Sequence, residues 1–250
     1  GLAEAGVNLA VISRSASNPA KGEAIAKEYG VKCLGISASP LDKAALEAAL
    51  DQIHEKLGKV DILINCAGSA DLRLFQDSAD ENYLRILHSD LSSCIRCSKE
   101  AIRLMLTRHQ GRILNISSVW GLTGASCEVE YSAAKGGMDA FTKALAKELA
   151  PSGIQVNALS LGLIDTEMNR SRLSKEDLEA LQEEIPAVPE ALDGAETMDR
   201  KAHVQIDQPH EHRPGHRKGD QVLQSLRPQN RPAAVGGHED HVALLRAEIP

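Results

Sequence analysis

Two kinds of apolar pattern alternate along the chain. Short unbroken apolar runs recur at "VNLAVISR" (7–14), "VKCLGIS" (31–37), "VDILIN" (60–65), "RILNISS" (112–118) and "IQVNALS" (154–160). Each has strand length and predicts a buried β-strand. Helical patterns fill the gaps. Residues 18–29 predict a helix, and "GLAEAG" predicts the last turns of one that stops at Gly6. Leu46, Leu50, Ile53 and Leu57 recur at helical spacing, with Gly58 as the stop. Ser39, Pro40 and Asp42 suit the N-cap, N1 and N3 positions of that helix. Ser78 with Glu81 has the form of a capping box. Helical pattern then runs to about His109 with a break near Ser89–Asp90. A further helix is predicted over about 128–149, and Ser174 with Asp177 opens another.

Strand and helix alternate, and the strands are continuously apolar rather than apolar on one face. That predicts an α/β fold: a doubly wound, Rossmann-like parallel sheet covered by helices on both faces. The pattern covers residues 1–187. Beyond it, over 188–250, neither period persists and no aromatic residue occurs. Histidines and prolines concentrate there, as in "QPHEHRPGHRKGDQ", so that segment is expected to be a disordered tail. His210, His212 and His216 lack cysteine or carboxylate partners at ligand spacing, so no metal site is assigned.

Composition narrows the function classes. The formal net charge is −7 with mixed signs throughout, and no basic block points to nucleic acid. No apolar run is long enough to span a membrane, and no leader pattern opens the chain. The five cysteines are scattered and odd in number, which fits reduced thiols in the cytoplasm. Cys94 and Cys97 are spaced as a redox pair, but within a helical pattern, where burial explains them better.

In an open parallel sheet the ligand sits beyond the carboxyl ends of the strands. Those ends carry Ser13–Arg14, then Asn65-Cys66-Ala67-Gly68, then Ser117–Ser118, then Leu161–Gly162 with Thr166 beyond. Tyr131 and Lys135 stand one turn apart at the start of the helix after Ser118, which puts a phenol and an ammonium on one face. Such a pair can move protons. Each feature alone also fits an ordinary surface: Tyr-x-x-x-Lys a solvated helix face, Asn65-x-x-Gly68 a turn, and Arg14 a side chain in water.

Taken together and in this order, these residues resemble the short-chain dehydrogenase/reductase family. The resemblance covers residues 1 to about 187 and rests on N-x-A-G, on Ser118 thirteen positions before Tyr131, and on Tyr131-x-x-x-Lys135. It implies carbonyl reduction with a nicotinamide cofactor. Tyr131 would donate the proton, Lys135 would lower the phenol's pKa and bond the nicotinamide ribose, and Ser118 would bond the substrate carbonyl. Ser13, Arg14, Asn65, Ala67, Gly68, Gly162, Ile164 and Thr166 would line the cofactor, with Thr166 at its carboxamide. NAD-preferring folds place an acidic residue after the second family strand; Arg14 stands there instead and suits the 2′-phosphate of NADP. Within the family the chain looks most like the 3-oxoacyl-(acyl-carrier-protein) reductases. "GASCEV" and Trp120 also resemble reductases of 5-aminopentanone-modified elongation factor P. The resemblance further implies a ketone substrate, possibly on acyl carrier protein. It also implies a homodimer or homotetramer formed through helices near 90–108 and 131–149.

The chain departs from the family pattern in four places. The opening strand with its glycine-rich phosphate loop is missing. The family's relay asparagine aligns with Asp90, which cannot donate when ionised. Ser39 replaces the aspartate near the adenine, and Leu161–Gly162 replaces a proline–glycine. The last strand and helix are missing, with 188–250 in their place. The expectation from the first and last departures is a fragmentary gene model with a frame shift near Ile185–Ala187. The alternative to a working reductase is then that the chain as written is an inactive fragment or pseudoenzyme, with one edge of its second family strand uncovered.

Overall fold

The computed structural model describes residues 1–162, 202–205 and 241–245. The strands are β1 (Asn8–Ser13), β2 (Cys33–Ser37), β3 (Ile62–Asn65), β4 (Gly111–Ser118), β5 (Ile154–Leu161), β6 (Ala202–Gln205) and β7 (His241–Leu245). The helices are α1 (Asn18–Tyr29), α2 (Lys43–Leu57), α3 (Asp80–Ile86), α4 (Ser93–Leu106), α5 (Val119–Thr123) and α6 (Val129–Leu149). The sheet runs β2-β1-β7-β3-β4-β5-β6, and β6 alone is antiparallel to its neighbour. This is the doubly wound parallel sheet that the alternating pattern predicts.

Alternate residues of β1 serve the two faces, as the two-residue period of a strand requires. Ala10 and Ile12 join the main core with Leu46, Ile53, Met105, Ile113 and Val156. Leu9 packs on the opposite face with Ala3, Cys33 and Ile25. The first residues form a turn that ends at Gly6 with φ 80°. α1 lies directly on β2: a Cβ on Gly35 would stand 1.8 Å from the Asn18 carbonyl oxygen. The Asn18 side chain ties both strands to this helix, donating to the carbonyls of Val11 at 2.6 Å and Ile36 at 2.9 Å.

Three local expectations are corrected. The cap of α2 is Asp42, not Ser39: Asp42 is extended and its carboxylate accepts the Ala45 N–H at 3.1 Å. Ser39 instead accepts from Leu41, a turn two residues long. No capping box forms at Ser78; α3 starts after Ala79, without a side-chain cap. The break near Ser89–Asp90 is a π-helical turn, Leu87–Ser92, joining α3 to α4.

The segment 188–250 is also not structureless throughout. Its 241–245 stretch is β7, parallel to both β1 and β3 and seated between them, with Leu9 opposite Val242 and Leu63 opposite Ala243. That position is where the missing opening strand of the family was expected, so the edge of β1 is covered. The 202–205 stretch pairs with β5, Leu159 opposite Val204. The Ala202–Gln205 stretch is four residues long and carries no sustained period, whereas Val242–Leu245 is itself a short apolar run within a segment otherwise rich in histidine and proline. The helix predicted from Ser174 lies outside the described residues, as does the His210, His212, His216 cluster. Among the described residues, no helix is long and apolar enough to cross a membrane, and no cluster of His, Cys, Asp or Glu could hold a metal ion.

Candidate active site

Three elements bring the predicted chemistry together. β4 ends at Ser118, which also caps α5 by accepting the Trp120 N–H at 3.2 Å. The turn after β3 carries Cys66, Ala67, Gly68 and Ser69. α6 presents Tyr131 and Lys135 on one face, and its backbone approaches α5 so closely that a Cβ on Gly121 would stand 2.8 Å from the Lys135 carbonyl carbon. Small residues at this contact let α6 settle against the end of β4.

Lys135 is 4% exposed, an extreme position for an ammonium. Its Nζ donates to the Ile116 carbonyl at 2.9 Å and lies 3.5 Å from Asp90 Oδ2. It also sits 5.4 Å from the centroid of the Tyr131 ring, within cation–π range. Asp90 is fully buried. Its Oδ1 accepts the Ser69 N–H at 2.8 Å and the Ser89 hydroxyl at 2.5 Å, while Oδ2 has no hydrogen bond of its own. Burial raises the Asp90 carboxyl above the usual carboxylate range, and Lys135, Ser89 and Ser69 offset only part of that.

The half-buried Tyr131 departs from expectation. Its phenol is held above the ordinary tyrosine value, first by burial and then by the Asp90 charge; a hydrogen-bonding contact with Ser118 pulls the other way. The balance on the phenol is upward although the Lys135 ammonium, expected to lower it, lies 5.4 Å from the ring centroid. The ammonium is shared with the Asp90 carboxylate and the Ile116 carbonyl. Cys66, exposed beyond β3, and Glu128 also raise the phenol.

The cofactor candidates divide. Gly68 faces the charge pair: a Cβ there would meet Asp90 Oδ2 at 2.9 Å and Lys135 Nζ at 3.4 Å. Ala67 is buried beside it. Asn65 turns inward, donating to Asn115 Oδ1 at 2.8 Å and Ser98 Oγ at 3.1 Å. Asn115 in turn donates to Thr142 at 2.8 Å. The Asn65 side chain thus belongs to a buried network joining β3, α4, β4 and α6, which leaves its backbone, at the carboxyl end of β3, as the part expected to approach the cofactor. Ser13 is buried at the end of β1, its carbonyl accepting the Ala38 N–H at 2.9 Å, and Arg14 is exposed next to it. Gly162 follows β5, half-buried. Ile164 and Thr166 lie outside the described residues. Ser69, Ser89 and the Ile116 carbonyl hold the charge pair and were not anticipated. Ser69 adjoins the N-x-A-G motif and Ser89 adjoins Asp90, so both stood next to a signal; a backbone carbonyl gives none. Cys94 and Cys97 are buried in α4, and burial pushes the Cys94 thiol up to about 12, which suits packing and not redox work.

The short-chain dehydrogenase family model matches residues 1–177. The chain belongs to the short-chain dehydrogenase family. It is an oxidoreductase of CH–OH/C=O groups. It is 37% identical over 186 residues to the 3-oxoacyl-(acyl-carrier-protein) reductase of Aquifex aeolicus, covering 74% of this chain and 75% of that one. Its identity to the same-named enzyme of Escherichia coli is 37% over 165 residues, 66% and 67% of the two chains. The fold is also that of an NAD-bound xylitol dehydrogenase, with a TM-score of 0.65 at 22% identity over 72% of this short-chain dehydrogenase and 85% of that chain.

Proposed function

We propose that this chain is an NADP-dependent carbonyl reductase whose substrate is a ketone such as a 3-oxoacyl thioester on acyl carrier protein. The observation that carries the reading is the convergence of Ser118, Tyr131 and Lys135 beyond the carboxyl ends of β3 and β4, beside Gly68. A reduced nicotinamide, when bound, supplies the hydride that goes to the carbonyl carbon. The chain's residues handle the oxygen. Ser118 donates a hydrogen bond to it as negative charge develops, and Tyr131 gives it the proton. A phenol held above its usual pKa is fully protonated at neutral pH, so the donor is always loaded.

The residues fit the nicotinamide end of such a cofactor. Gly68 leaves room for the Asp90–Lys135 pair, and the Lys135 ammonium, with three N–H donors, keeps one beyond Ile116 and Asp90 for ribose hydroxyls. Arg14, exposed after β1, supports NADP by its charge. Assembly through α4 and α6 belongs to the same proposal.

Following NADPH fluorescence during titration, and then its consumption on adding a 3-oxoacyl thioester, tests the reading. Saturable binding that weakens in Arg14→Ala, with thioester-dependent consumption, supports it. No binding and no consumption would leave only the dehydrogenase fold. Consumption with modified elongation factor P and none with thioesters would move the substrate, not the mechanism.

A further inference from the structure

The buried pair Asp90–Lys135 does more than fill space. Asp90 projects from the π-helical turn Leu87–Ser92, an uncommon geometry that tends to mark functional positions. Both ends of the turn are held: Ser93 Oγ donates to the Ser89 carbonyl, and Ser69 Oγ and Ser89 Oγ lie 2.7 Å apart. The carboxylate is thus clamped on its Oδ1 side and open on its Oδ2 side, which faces Lys135. A Cβ on Gly68 would touch both charges, so the turn after β3 closes over the pair.

Two anionic demands compete for one ammonium. Asp90, once ionised, faces the Lys135 ammonium at 3.5 Å, and Tyr131 becomes negative only if it loses its proton. Asp90 already occupies the ammonium, so a tyrosinate would gain little from Lys135 and would be repelled by Asp90. We infer that Asp90 is a positioning residue that claims the Lys135 ammonium and thereby keeps Tyr131 in its protonated, donating form, favouring ketone reduction over alcohol oxidation. The other groups facing the phenol are Ser118, Glu128 and Cys66; those facing Lys135 besides Asp90 are Cys94 and Asp139. None of them replaces a buried carboxylate 3.5 Å from the ammonium. The directional consequence rests on the proposed reductase role, but the hold on Tyr131 does not.

The test needs neither cofactor nor substrate. The chain has three tyrosines, and Tyr29 and Tyr83 are exposed. Ultraviolet tyrosinate absorbance against pH, with Tyr131→Phe subtracted, isolates the Tyr131 titration. Asp90→Asn keeps the shape and removes the charge. Asp90→Ser is the second variant, keeping a hydroxyl for the Ser69 N–H. In either folded variant Tyr131 is expected to ionise at a pH at least about one unit lower, a tenfold gain in tyrosinate at fixed pH. Alcohol oxidation should extend to lower pH with it. Identical titrations in wild type and variants, including no titration in either before alkaline unfolding, overturn the inference. A shifted titration without any reductase activity would keep the inference and refute the function.

Discussion

A Cβ placed on Gly68 would lie 2.9 Å from Asp90 Oδ2, closer than real Cβ atoms come to a neighbour. Neither partner has room to give. Asp90 is pinned by Ser69 and Ser89, and Lys135, 3.4 Å from the same point, is pinned by Ile116. Gly68→Ala should therefore cost about 1–3 kcal/mol of stability, the usual range for overpacking. It should lower reductase activity by more than the stability loss explains, because the charge pair itself must move. Denaturant midpoints and kcat/KM on the same samples check both halves. An Ala variant as stable and active as wild type would mean that the turn after β3 is looser than described.

Removing the ammonium leaves a fully buried carboxylate without its counter-charge. Lys135→Met keeps the length of the stem, so the change is mainly electrostatic. Breaking a buried pair from one side costs roughly 3–5 kcal/mol. Asp90 can relieve part of this by taking up a proton, so the deficit should be largest near neutral pH and should shrink as pH falls into the carboxylate range. Urea unfolding of wild type and variant across that range reads the sign directly.

Asp139, one turn along α6 from Lys135, offers a second pH signature. It is 4% exposed on α6, and no hydrogen bond reaches either oxygen. Burial raises its carboxyl, with Ser117, Lys143 and Lys135 offsetting part of that. A carboxyl raised in the folded state stabilises the protein most when protonated, and that contribution is lost as pH rises through the raised value. Asp139→Asn should therefore be more stable than wild type by about 1 kcal/mol near pH 7, the scale of one unsatisfied polar group. The gap should narrow as pH falls through the raised value, where the wild-type carboxyl takes up its proton. A constant gap across pH would show that the gain is packing, not charge.

The sequence disclosed the fold where burial sets a period. Leu46, Leu50, Ile53 and Leu57 marked α2 because one helix face enters the main core, and the five apolar runs marked five strands because each is covered on both faces. It disclosed Ser118, Tyr131 and Lys135 because the spacing along α6 and the end of β4 fixes their relation. What it hid was set by contacts at a distance. The Asn65 side chain turns into the protein, where Asn115 and Ser98 accept from its amide nitrogen. The competition of Asp90 for Lys135 depends on a π-helical turn that reads locally as a simple helix break. β6 is too short to show a period, and the apolar run of β7, Val242–Leu245, stands alone in a polar, histidine-rich stretch.

The proton-donating role of Tyr131 is tested most directly by the kcat/KM of Tyr131→Phe for a 3-oxoacyl thioester with NADPH. Only one oxygen atom is removed, so binding of the cofactor and the unfolding midpoint should stay close to wild type. Turnover should fall by roughly 10²–10⁴, the contribution of a positioned general acid. Turnover within a few-fold of wild type, in a variant that binds NADPH normally, would contradict it.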